Sequence, residues 1–316
     1  MPESTGAAAA APEAHDLPLT LWGWQDWTVE PWERLPGDEG YSSHTYLVRH
    51  DGVRHVVKAV RKDMGPKLTA GLLVAQEVER HGVAAGGPLP TTGGEVTAYQ
   101  GDFCYSLLAY LDGERVNEAD PAHLRAVGRT LGRIDSVLLD APVPEGVPRW
   151  DEVLELFLFE QDFLKGHDWI RRTLEQARGA LSPDDLTIGL INCDAAAKEF
   201  RVLGDTAGLL DWSEVMYAPC MLELATTLSY LGDATDGEPL VRGYFEEGPA
   251  DRAELGYLAD ILRFRCAAEG WIYAARQNAG DETGTTASTW SNEKLIERAR
   301  QNAENADRIA ARFQVL

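Results

Sequence analysis

Cysteine and long apolar runs are both scarce in this chain of 316 residues. No run of about 18 apolar residues is present, so the sequence predicts neither a membrane-spanning helix nor a membrane partner. The four cysteines have no paired spacing and no accompanying histidines, which argues against a structural zinc site and against a disulfide scaffold. A reducing, cytoplasmic location is expected for a chain with these thiols: Cys104, Cys193, Cys220 and Cys266.

Basic residues are also few. The net charge is −22, from 29 Lys plus Arg against 51 Asp plus Glu. Binding to nucleic acid needs clustered positive charge, so nucleic acid is not an expected partner. A strongly negative field would instead steer cationic substrates toward a cleft, and general solubility is the alternative explanation of the charge.

The start of the chain lacks the signals of a secreted protein. Residues 1–16 are rich in Ala with Pro, Ser and Glu, and no basic segment precedes an apolar one. A signal peptide is therefore not expected. We expect residues 1–17 to form a disordered tail.

Two short apolar runs in the second half of the chain end in aspartate. Leu190–Asp194 and Gly208–Trp212 are joined by the strand-like Glu199–Leu203 and a Gly-Asp-Thr turn. Runs of this length between turn residues predict short buried strands. Asp194 and Asp211 would then reach one cleft from adjacent strand ends, where one carboxylate orients a substrate hydroxyl and the other holds magnesium. The alternative is that each Asp only begins a turn.

A β-hairpin is predicted in the first quarter of the chain. Residues 43–49 and 53–60 are strand-like and flank Asp51-Gly52, a strong hairpin signal. Alternation places Lys58 between two valines on one face of the second strand. Because an unpaired buried ammonium is costly, Lys58 lies either at an exposed edge or against a partner.

The loop before this hairpin, residues 35–42, contains two glycines and two hydroxyl-bearing residues. Such a loop can approach a phosphate closely through its backbone N–H groups. Loop, hairpin, Lys58 and two Asp-terminated strands follow one another in the order of a protein-kinase-like fold. The candidates for contact with a nucleotide in this part are Gly37, Gly40, Ser42 and Ser43.

From about Leu35 to Arg300 the chain resembles the aminoglycoside phosphotransferase and choline/homoserine kinase-like family, in particular its actinobacterial members. The motifs that carry the resemblance are Leu35–Val48, Val57-Lys58, Ala70–Ala75, His81–Val83, Leu107–Gly113, the Asp194 and Asp211-Trp212 strands, Glu223–Thr226 and Arg263–Arg265. Each motif is loose, but their order is specific. The resemblance implies that ATP and Mg²⁺ are the cofactors, that Asp194 is catalytic, that Lys58 contacts the phosphates and that Asp211 binds the metal. It also implies that residues 107–113 form the hinge between two lobes, with Leu108 and Tyr110 against the nucleotide.

The chain departs from the family pattern in its catalytic segment. Asn192-Cys193-Asp194 stands where the family usually has His-Gly-Asp, and Glu199 stands where it usually has a metal-binding Asn. Glu199 would keep a hard oxygen ligand for Mg²⁺ or Mn²⁺, and its alternative is a solvated side chain. Cys193 is expected to be a small buried residue rather than a nucleophile.

The partner of Lys58 is left open by the sequence. In the resembled family a helix carboxylate pairs with the strand lysine, and the helix predicted after Lys58 offers Glu77 and Glu79. These two residues point to different sides of a helix, so at most one of them can face Lys58. We expect Glu77 to be the partner, with a solvated helix face as the alternative.

Aromatic residues gather in the predicted C-terminal helices, which build the acceptor pocket in the resembled family. Trp271 and Tyr273 cannot share one helical face, so one of them is a candidate to face a cleft, although core packing is the alternative. Asp260 and Glu269 lie on the same predicted helix and are candidates to bind a cationic acceptor. The substrate-binding candidates are therefore Asp260, Glu269 and Trp271.

Together these patterns predict an α+β, bilobal protein-kinase-like fold. Residues 18–111 would form a small β-rich N-lobe that binds the nucleotide. Residues 112–316 would form a larger, mainly helical C-lobe with the catalytic strands and the acceptor-binding helices.

Three functions are compatible with this sequence. The favoured one is an ATP-dependent phosphotransferase that moves the γ-phosphate to a hydroxyl of a small cationic molecule. The second is a Ser/Thr kinase that acts on a ribosomal precursor peptide, with a partner lyase that eliminates the phosphate. The third is a pseudokinase that binds nucleotide without catalysis.

Overall fold

The structure is a computed structural model, and it describes residues 11–31, 43–231, 236–282 and 291–314. Its first part is built on an antiparallel sheet with the strand order β1-β2-β3-β6-β4, in which β5 also lies beside β6. Asp51 and Gly52 form the turn of the predicted hairpin with φ angles of 49° and 80°, which are the positive values that a type I′ turn requires. The strands are β1 Thr28–Glu30, β2 Ser43–His50, β3 Val53–Arg61, β4 Pro88–Leu89, β5 Ala98–Gln100 and β6 Phe103–Ala109.

The two faces of this sheet carry different apolar layers. On one face Val57 packs in a cluster with the N-terminal Leu19. On the other face Val60 packs in a cluster with helix α1, Gly65–Arg80. Because side chains alternate across a strand, Lys58 lies on the same face as Val60.

The chain before β1 covers the outer face of the sheet. Leu17 and Leu19 are buried, the Tyr46 hydroxyl donates a hydrogen bond to the Pro12 carbonyl (2.5 Å), and the Trp24 ring stacks on His50. The tail expected over residues 1–17 therefore overlaps a packed segment in residues 11–17, because apolar side chains there cover the sheet. Residues 1–10 lie outside the described ranges.

The second part of the chain is mainly helical and also holds two small sheets. The strands β7 Glu114–Arg115, β8 Ile188–Ile191, β9 Phe200–Leu203, β10 Thr206–Leu209 and β11 Met216–Pro219 pair as β10-β9-β7 and β11-β8. The helices are α2 Pro121–Leu138, α3 Trp150–Leu158, α4 Asp168–Ala180, α5 Cys220–Leu231, α6 Glu238–Glu247, α7 Leu258–Ala279, α8 Asn292–Glu304 and α9 Ala306–Ala311. The β-rich first part and the helical second part agree with the predicted α+β class.

One expectation about these strands is wrong. The strands before Asp194 and Asp211, β8 and β10, are not neighbours, because β8 pairs with β11 and β10 pairs with β9. The two aspartates are brought together by the loops that follow the strands instead of by a shared sheet edge.

Helix α7 lies at the centre of the helical part and packs against α4, α5 and α8. Helices α2 and α6 approach closely through glycines. A Cβ atom built on Gly128 of α2 would lie 2.0 Å from the Leu240 carbonyl oxygen of α6. Among the described helices, none combines the length and the apolar character needed to cross a membrane.

Candidate active site

Asn192 joins the two aspartate-bearing loops. It is almost fully buried (1% exposed). Its side-chain N–H donates to the Asp211 carbonyl oxygen at 2.7 Å, and its Oδ1 accepts from the Asp194 backbone N–H at 3.0 Å. The asparagine that stands where the resembled family usually has histidine thus fixes both loops at once.

Cys193 has a backbone role in the same segment. Its φ of 65° lies in the left-handed region that favours glycine, which explains why glycine is usual at this position. Its backbone N–H donates to Oε2 of the buried Glu223 at 2.7 Å, and burial raises the pKa of the Glu223 carboxyl. Burial also raises the pKa of the Cys193 thiol to about 12, so the thiol is protonated at neutral pH and unsuited to nucleophilic attack.

Asp194 lies beside a tyrosine and an arginine. Its Oδ1 accepts a hydrogen bond from the Tyr230 hydroxyl at 2.5 Å, and Arg265 Nη2 is 3.8 Å from the same oxygen. Burial raises the pKa of Asp194 to about 7, against the opposing effects of the Arg265 charge and the Tyr230 hydrogen bond. A carboxyl whose pKa lies near the working pH is well matched to general base catalysis.

Asp211 and Lys58 form an ion pair. Lys58 Nζ donates to Asp211 Oδ1 at 2.7 Å and to Ser213 Oγ at 2.8 Å, and the backbone N–H of Ser213 donates to the same carboxylate at 3.1 Å. Burial opposes ionisation of Asp211, but the Lys58 ammonium and these hydrogen bonds outweigh it and lower the pKa to about 2. The carboxylate is therefore charged at neutral pH. Of the two possibilities left open for Lys58, the structure shows a buried lysine held by partners.

The expectation that Glu77 pairs with Lys58 is wrong. Glu77 pairs with Arg80 at 2.6 Å on its own helix, and Glu79 accepts from the Gly87 backbone N–H at 2.7 Å. The reason lies in how α1 packs on the loop after Asp211. A Cβ atom on Gly71 of α1 would lie 1.7 Å from the Trp212 carbonyl oxygen. At Gly71 the backbone of α1 therefore packs directly against this loop, with no side chain between them.

Glu199 lies close to Asp211. It ends the 3-10 turn Ala197–Glu199, and its backbone carbonyl accepts from Leu210 N–H at 2.9 Å. Burial and then the negative charge of Asp211 raise the pKa of Glu199, with Lys198 acting in the opposite direction. A divalent cation between the two carboxylates would relieve this repulsion.

These two carboxylates fit a kinase-type metal site. Within the described ranges no group of three or more His, Cys, Asp and Glu side chains is placed to hold a metal ion. Mg²⁺ in nucleotide sites is commonly bound by one or two carboxylates together with the substrate phosphates. Asp211 and Glu199 supply that number of carboxylates.

The predicted nucleotide contacts are only partly covered by the structure. Ser43 begins β2 opposite Val60. Leu108, near the end of β6, and Tyr110, just after it, are half-buried, and the Arg54 guanidinium lies over the Tyr110 ring at 5.5 Å. Gly37, Gly40 and Ser42 lie outside the described residues.

The predicted acceptor-binding residues are engaged by neighbouring side chains. Asp260 pairs with Arg263 at 2.7 Å. Trp271 is buried, and its ring centroid is 4.7 Å from that of Phe157. Glu269 is 5% exposed, and its negative charge acts on Arg265. Of the three candidates, only Glu269 has a charge that acts on the Asp194 surroundings.

Sequence reasoning missed several residues of the site. Ser213, Tyr230 and Arg265 all contact the predicted charged groups, and none of them was assigned a role. The best available signal was Arg265, a single charge within the largely apolar stretch Phe264–Ala268 of α7. A buried arginine needs a partner, and the partner here is the Asp194–Tyr230 pair.

Lys58 of the β-rich part pairs with Asp211 of the helical part, and Asn192 links Asp211 to the loop that carries Asp194. This arrangement is compatible with a kinase-like phosphotransfer site. The sequence model of the APH family, the phosphotransferase enzyme family, matches residues 33–258 of this chain. The chain therefore belongs to this family. A search of the curated proteins found no significant sequence match.

Solved structures confirm the predicted protein-kinase-like fold. The amicoumacin kinase in complex with AMP-PNP, Ca²⁺ and Ami is 15% identical over 84% of this chain and 86% of that chain, with a TM-score of 0.66. An aminoglycoside phosphotransferase from Alicyclobacillus acidocaldarius is 15% identical over 98% of each chain, with a TM-score of 0.59. A choline/ethanolamine kinase family protein from Mesorhizobium loti is 13% identical over 92% of this chain and 93% of that chain, with a TM-score of 0.59.

Proposed function

We propose that this phosphotransferase uses ATP and magnesium to phosphorylate a hydroxyl group of a small cationic molecule. The observation that carries the proposal is the placement of Asp194 beside the Lys58–Asp211 pair, with Asn192 linking the two loops. This arrangement supports one base for the acceptor and one charged group for the nucleotide.

Each residue has a distinct task in the proposed reaction. Asp194 accepts the proton of the acceptor hydroxyl. Lys58 supplies positive charge to the nucleotide phosphates, and Asp211 with Glu199 holds the metal. Bound magnesium supplies further positive charge to the phosphates during transfer. Ser43, Leu108 and Tyr110, together with Gly37, Gly40 and Ser42, are proposed to line the nucleotide site.

A small cationic acceptor is supported by charge and by one of the similar structures. The net charge of −22 favours the approach of amine-bearing compounds. The amicoumacin kinase was solved with a nucleotide analogue, a divalent cation and Ami, which supports a small acceptor over a precursor peptide. A cytoplasmic location, where ATP is supplied, belongs to the same proposal, and the four free thiols agree with a reducing compartment.

Nucleotide binding is the first step of the test. The melting temperature is measured with ATP alone, with magnesium alone and with both. We expect the largest rise with both, because a ligand that binds only the folded state stabilises it.

Phosphate transfer is the second step. A panel of amine-bearing antibiotics is incubated with enzyme and magnesium-ATP, and the products are examined by mass spectrometry for an added phosphate. Asp194→Ala is the matched control, and it should bind nucleotide normally while transfer falls by about 10²–10⁴-fold. Nucleotide binding without transfer to any acceptor would contradict the proposal and favour a pseudokinase. A loss below tenfold in Asp194→Ala would contradict the role of Asp194.

A further inference from the structure

We propose that Tyr230 and Arg265 are positioning residues that hold one oxygen of the Asp194 carboxylate and leave the other for the acceptor hydroxyl. The inference rests on the proposed function, because it takes Asp194 to be the base. It assigns roles to two side chains that are not among the proposed nucleotide contacts.

The three side chains form a chain of contacts on three different elements. Arg265 Nη2 on α7 donates to the Tyr230 hydroxyl oxygen at 2.7 Å, and Tyr230, on α5, donates in turn to Asp194 Oδ1 at 2.5 Å. The Arg265 guanidinium also lies 5.3 Å from the centre of the Tyr230 ring. Because the hydroxyl accepts from Arg265, its single proton is directed to Asp194.

The arginine is held in place as a permanent cation. Only 11% of its side chain is exposed. Burial disfavours its charge, but Tyr230, Glu269 and Asp194 more than offset this effect and keep the pKa of Arg265 well above its ordinary value. The buried Glu269, which the sequence predicted to bind the acceptor, therefore acts as a counter-charge to Arg265.

The contacts distinguish the two oxygens of the Asp194 carboxylate. Among the described contacts of Asp194, both Tyr230 and Arg265 approach Oδ1. The other oxygen, Oδ2, is the one left to take the proton of the acceptor. A fixed carboxylate also keeps its free oxygen aligned with the reacting hydroxyl, and such alignment contributes to rate.

Tyr230 and Arg265 also oppose the effect that burial and the neighbouring carboxylates have on the pKa of Asp194. A donor to the ionised form favours ionisation, so the Tyr230 hydrogen bond and the Arg265 charge lower the pKa of Asp194 against the effect of burial. Asp211 and Glu214 act in the raising direction. Among the described residues, the other charged or titratable groups near this network include Cys193, Glu223, Cys266, Glu269 and Arg298.

A titration of Asp194 tests the inference without any acceptor. The full chain is labelled with ¹³C at aspartate carboxyls, and the Asp194 signal is assigned by its loss in Asp194→Asn. In Tyr230→Phe we expect the midpoint to rise by about one pH unit, because one hydrogen bond to the ionised form is lost. The matched control is Tyr257→Phe, which removes a tyrosine–aspartate hydrogen bond to Asp185 elsewhere in the C-terminal half and should leave the Asp194 midpoint unchanged.

A second variant tests whether the two residues act as one unit. Arg265→Gln removes the charge that orients the Tyr230 hydroxyl, so we expect a larger rise in the midpoint than in Tyr230→Phe. The double variant should then shift the midpoint by less than the sum of the two single shifts, because the Tyr230 hydroxyl depends on Arg265 to direct its proton to Asp194. Strictly additive shifts would overturn the relay, and a wild-type midpoint in a folded Tyr230→Phe or Arg265→Gln protein would overturn the inference.

Kinetics separate this inference from the proposed function. With an acceptor found by the panel, Tyr230→Phe should lower kcat at pH 7 by about fivefold, because the ionised fraction of Asp194 falls when its pKa moves from about 7 by about one unit, and it should leave the acceptor KM within about twofold of the wild type. The acid limb of the rate profile should move to higher pH. If no acceptor is phosphorylated but the Asp194 midpoint shifts as expected, the positioning pair stands and the proposed function fails. If an acceptor is phosphorylated but the Asp194 midpoint does not shift, the proposed function stands and the positioning role of Tyr230 and Arg265 fails.

Discussion

The Lys58 ammonium lies 2.7 Å from the Asp211 carboxylate, and each of these groups also bonds to Ser213. The lysine is therefore held by the loop that carries a candidate metal ligand, rather than by the helix carboxylate expected from the sequence. A change at Ser213 should consequently affect the binding of both the phosphates and the metal.

Ser213→Ala removes one of the two hydrogen bonds that the Lys58 ammonium donates. It keeps the hydrogen bond from the backbone N–H of residue 213 to Asp211. A hydrogen bond to a charged group contributes about 1.5 kcal/mol, which is roughly tenfold in affinity. We expect the Kd of magnesium-ATP to rise by that factor in calorimetry. Ser136→Ala, whose hydroxyl donates to the Glu247 carbonyl, is the matched control, and equal affinities in the two variants would refute the role of Ser213.

Lys58→Ala and Asp211→Asn should differ in how ATP binding depends on metal. Loss of the lysine charge weakens ATP binding with or without magnesium, because the ammonium acts on the phosphates directly. Asp211→Asn should weaken only the metal-dependent part. Calorimetry with and without magnesium measures both, and an unchanged affinity of Asp211→Asn for magnesium-ATP would count against its role as a ligand.

Local patterns in the sequence predicted much of the fold. The Asp51-Gly52 hairpin and the helix stop at Gly280, with φ of 66°, were both predictable because they depend on a few adjacent residues. The helix predicted after Lys58 is found at Gly65–Arg80. The order of Lys58, Asp194 and Asp211 along the chain likewise indicated one site.

Side-chain partners were harder to predict because they depend on packing between distant elements. Glu77 has the right chemistry to pair with Lys58, but the close approach of Gly71 to Trp212 sets where α1 lies. Asp260 has the right charge for an amine, but Arg263 neutralises it from the next turn of the helix. No local pattern reports such contacts.

Gly71→Ala tests the close packing of α1 on the site. The new Cβ atom would lie 1.7 Å from the Trp212 carbonyl oxygen, so the helix must move away from the loop that holds Lys58. We expect a loss of about 2–3 kcal/mol in the free energy of unfolding and weaker ATP binding. Gly179→Ala on α4, where a Cβ atom meets nothing within 4 Å, should be neutral or stabilising by about 0.5–1 kcal/mol. Equal stability of the two variants in denaturant titrations would refute this packing argument.

The raised pKa of Asp194 has consequences for both activity and stability. The base must be ionised, so kcat should rise with pH through about 7. The fold disfavours the charged form. The folded state binds the Asp194 proton more tightly than the unfolded state does, so protonation of Asp194 stabilises the fold. This stabilisation is complete below the unfolded pKa of about 3.9 and is lost as the pH rises through the folded pKa of about 7.

Asp194→Asn should therefore be more stable than the wild type at pH 8 and equally stable at pH 4. Because 44% of the Asp194 side chain is exposed, solvent screening limits the difference to about 1 kcal/mol. Thermal unfolding at the two pH values measures it. A difference that does not change with pH would contradict the assigned shift.

Glu199→Gln tests the second metal ligand, because it keeps the size of the side chain and removes one negative charge. Glu199 lies near enough to Asp211 for the two charges to repel, and its pKa is raised by burial and by that neighbour. Without metal, the variant should bind ATP as well as the wild type or better, since one repulsive charge is gone. With magnesium, its affinity should fall, because an amide is a weaker ligand for a hard cation than a carboxylate. Titration of Mg²⁺ and Mn²⁺ at fixed ATP concentration separates these effects, with Glu175→Gln as a control, since Glu175 pairs with Arg171 on helix α4. Identical titrations of Glu199→Gln and the wild type would show that Glu199 is not a metal ligand and that Asp211 holds the metal without it.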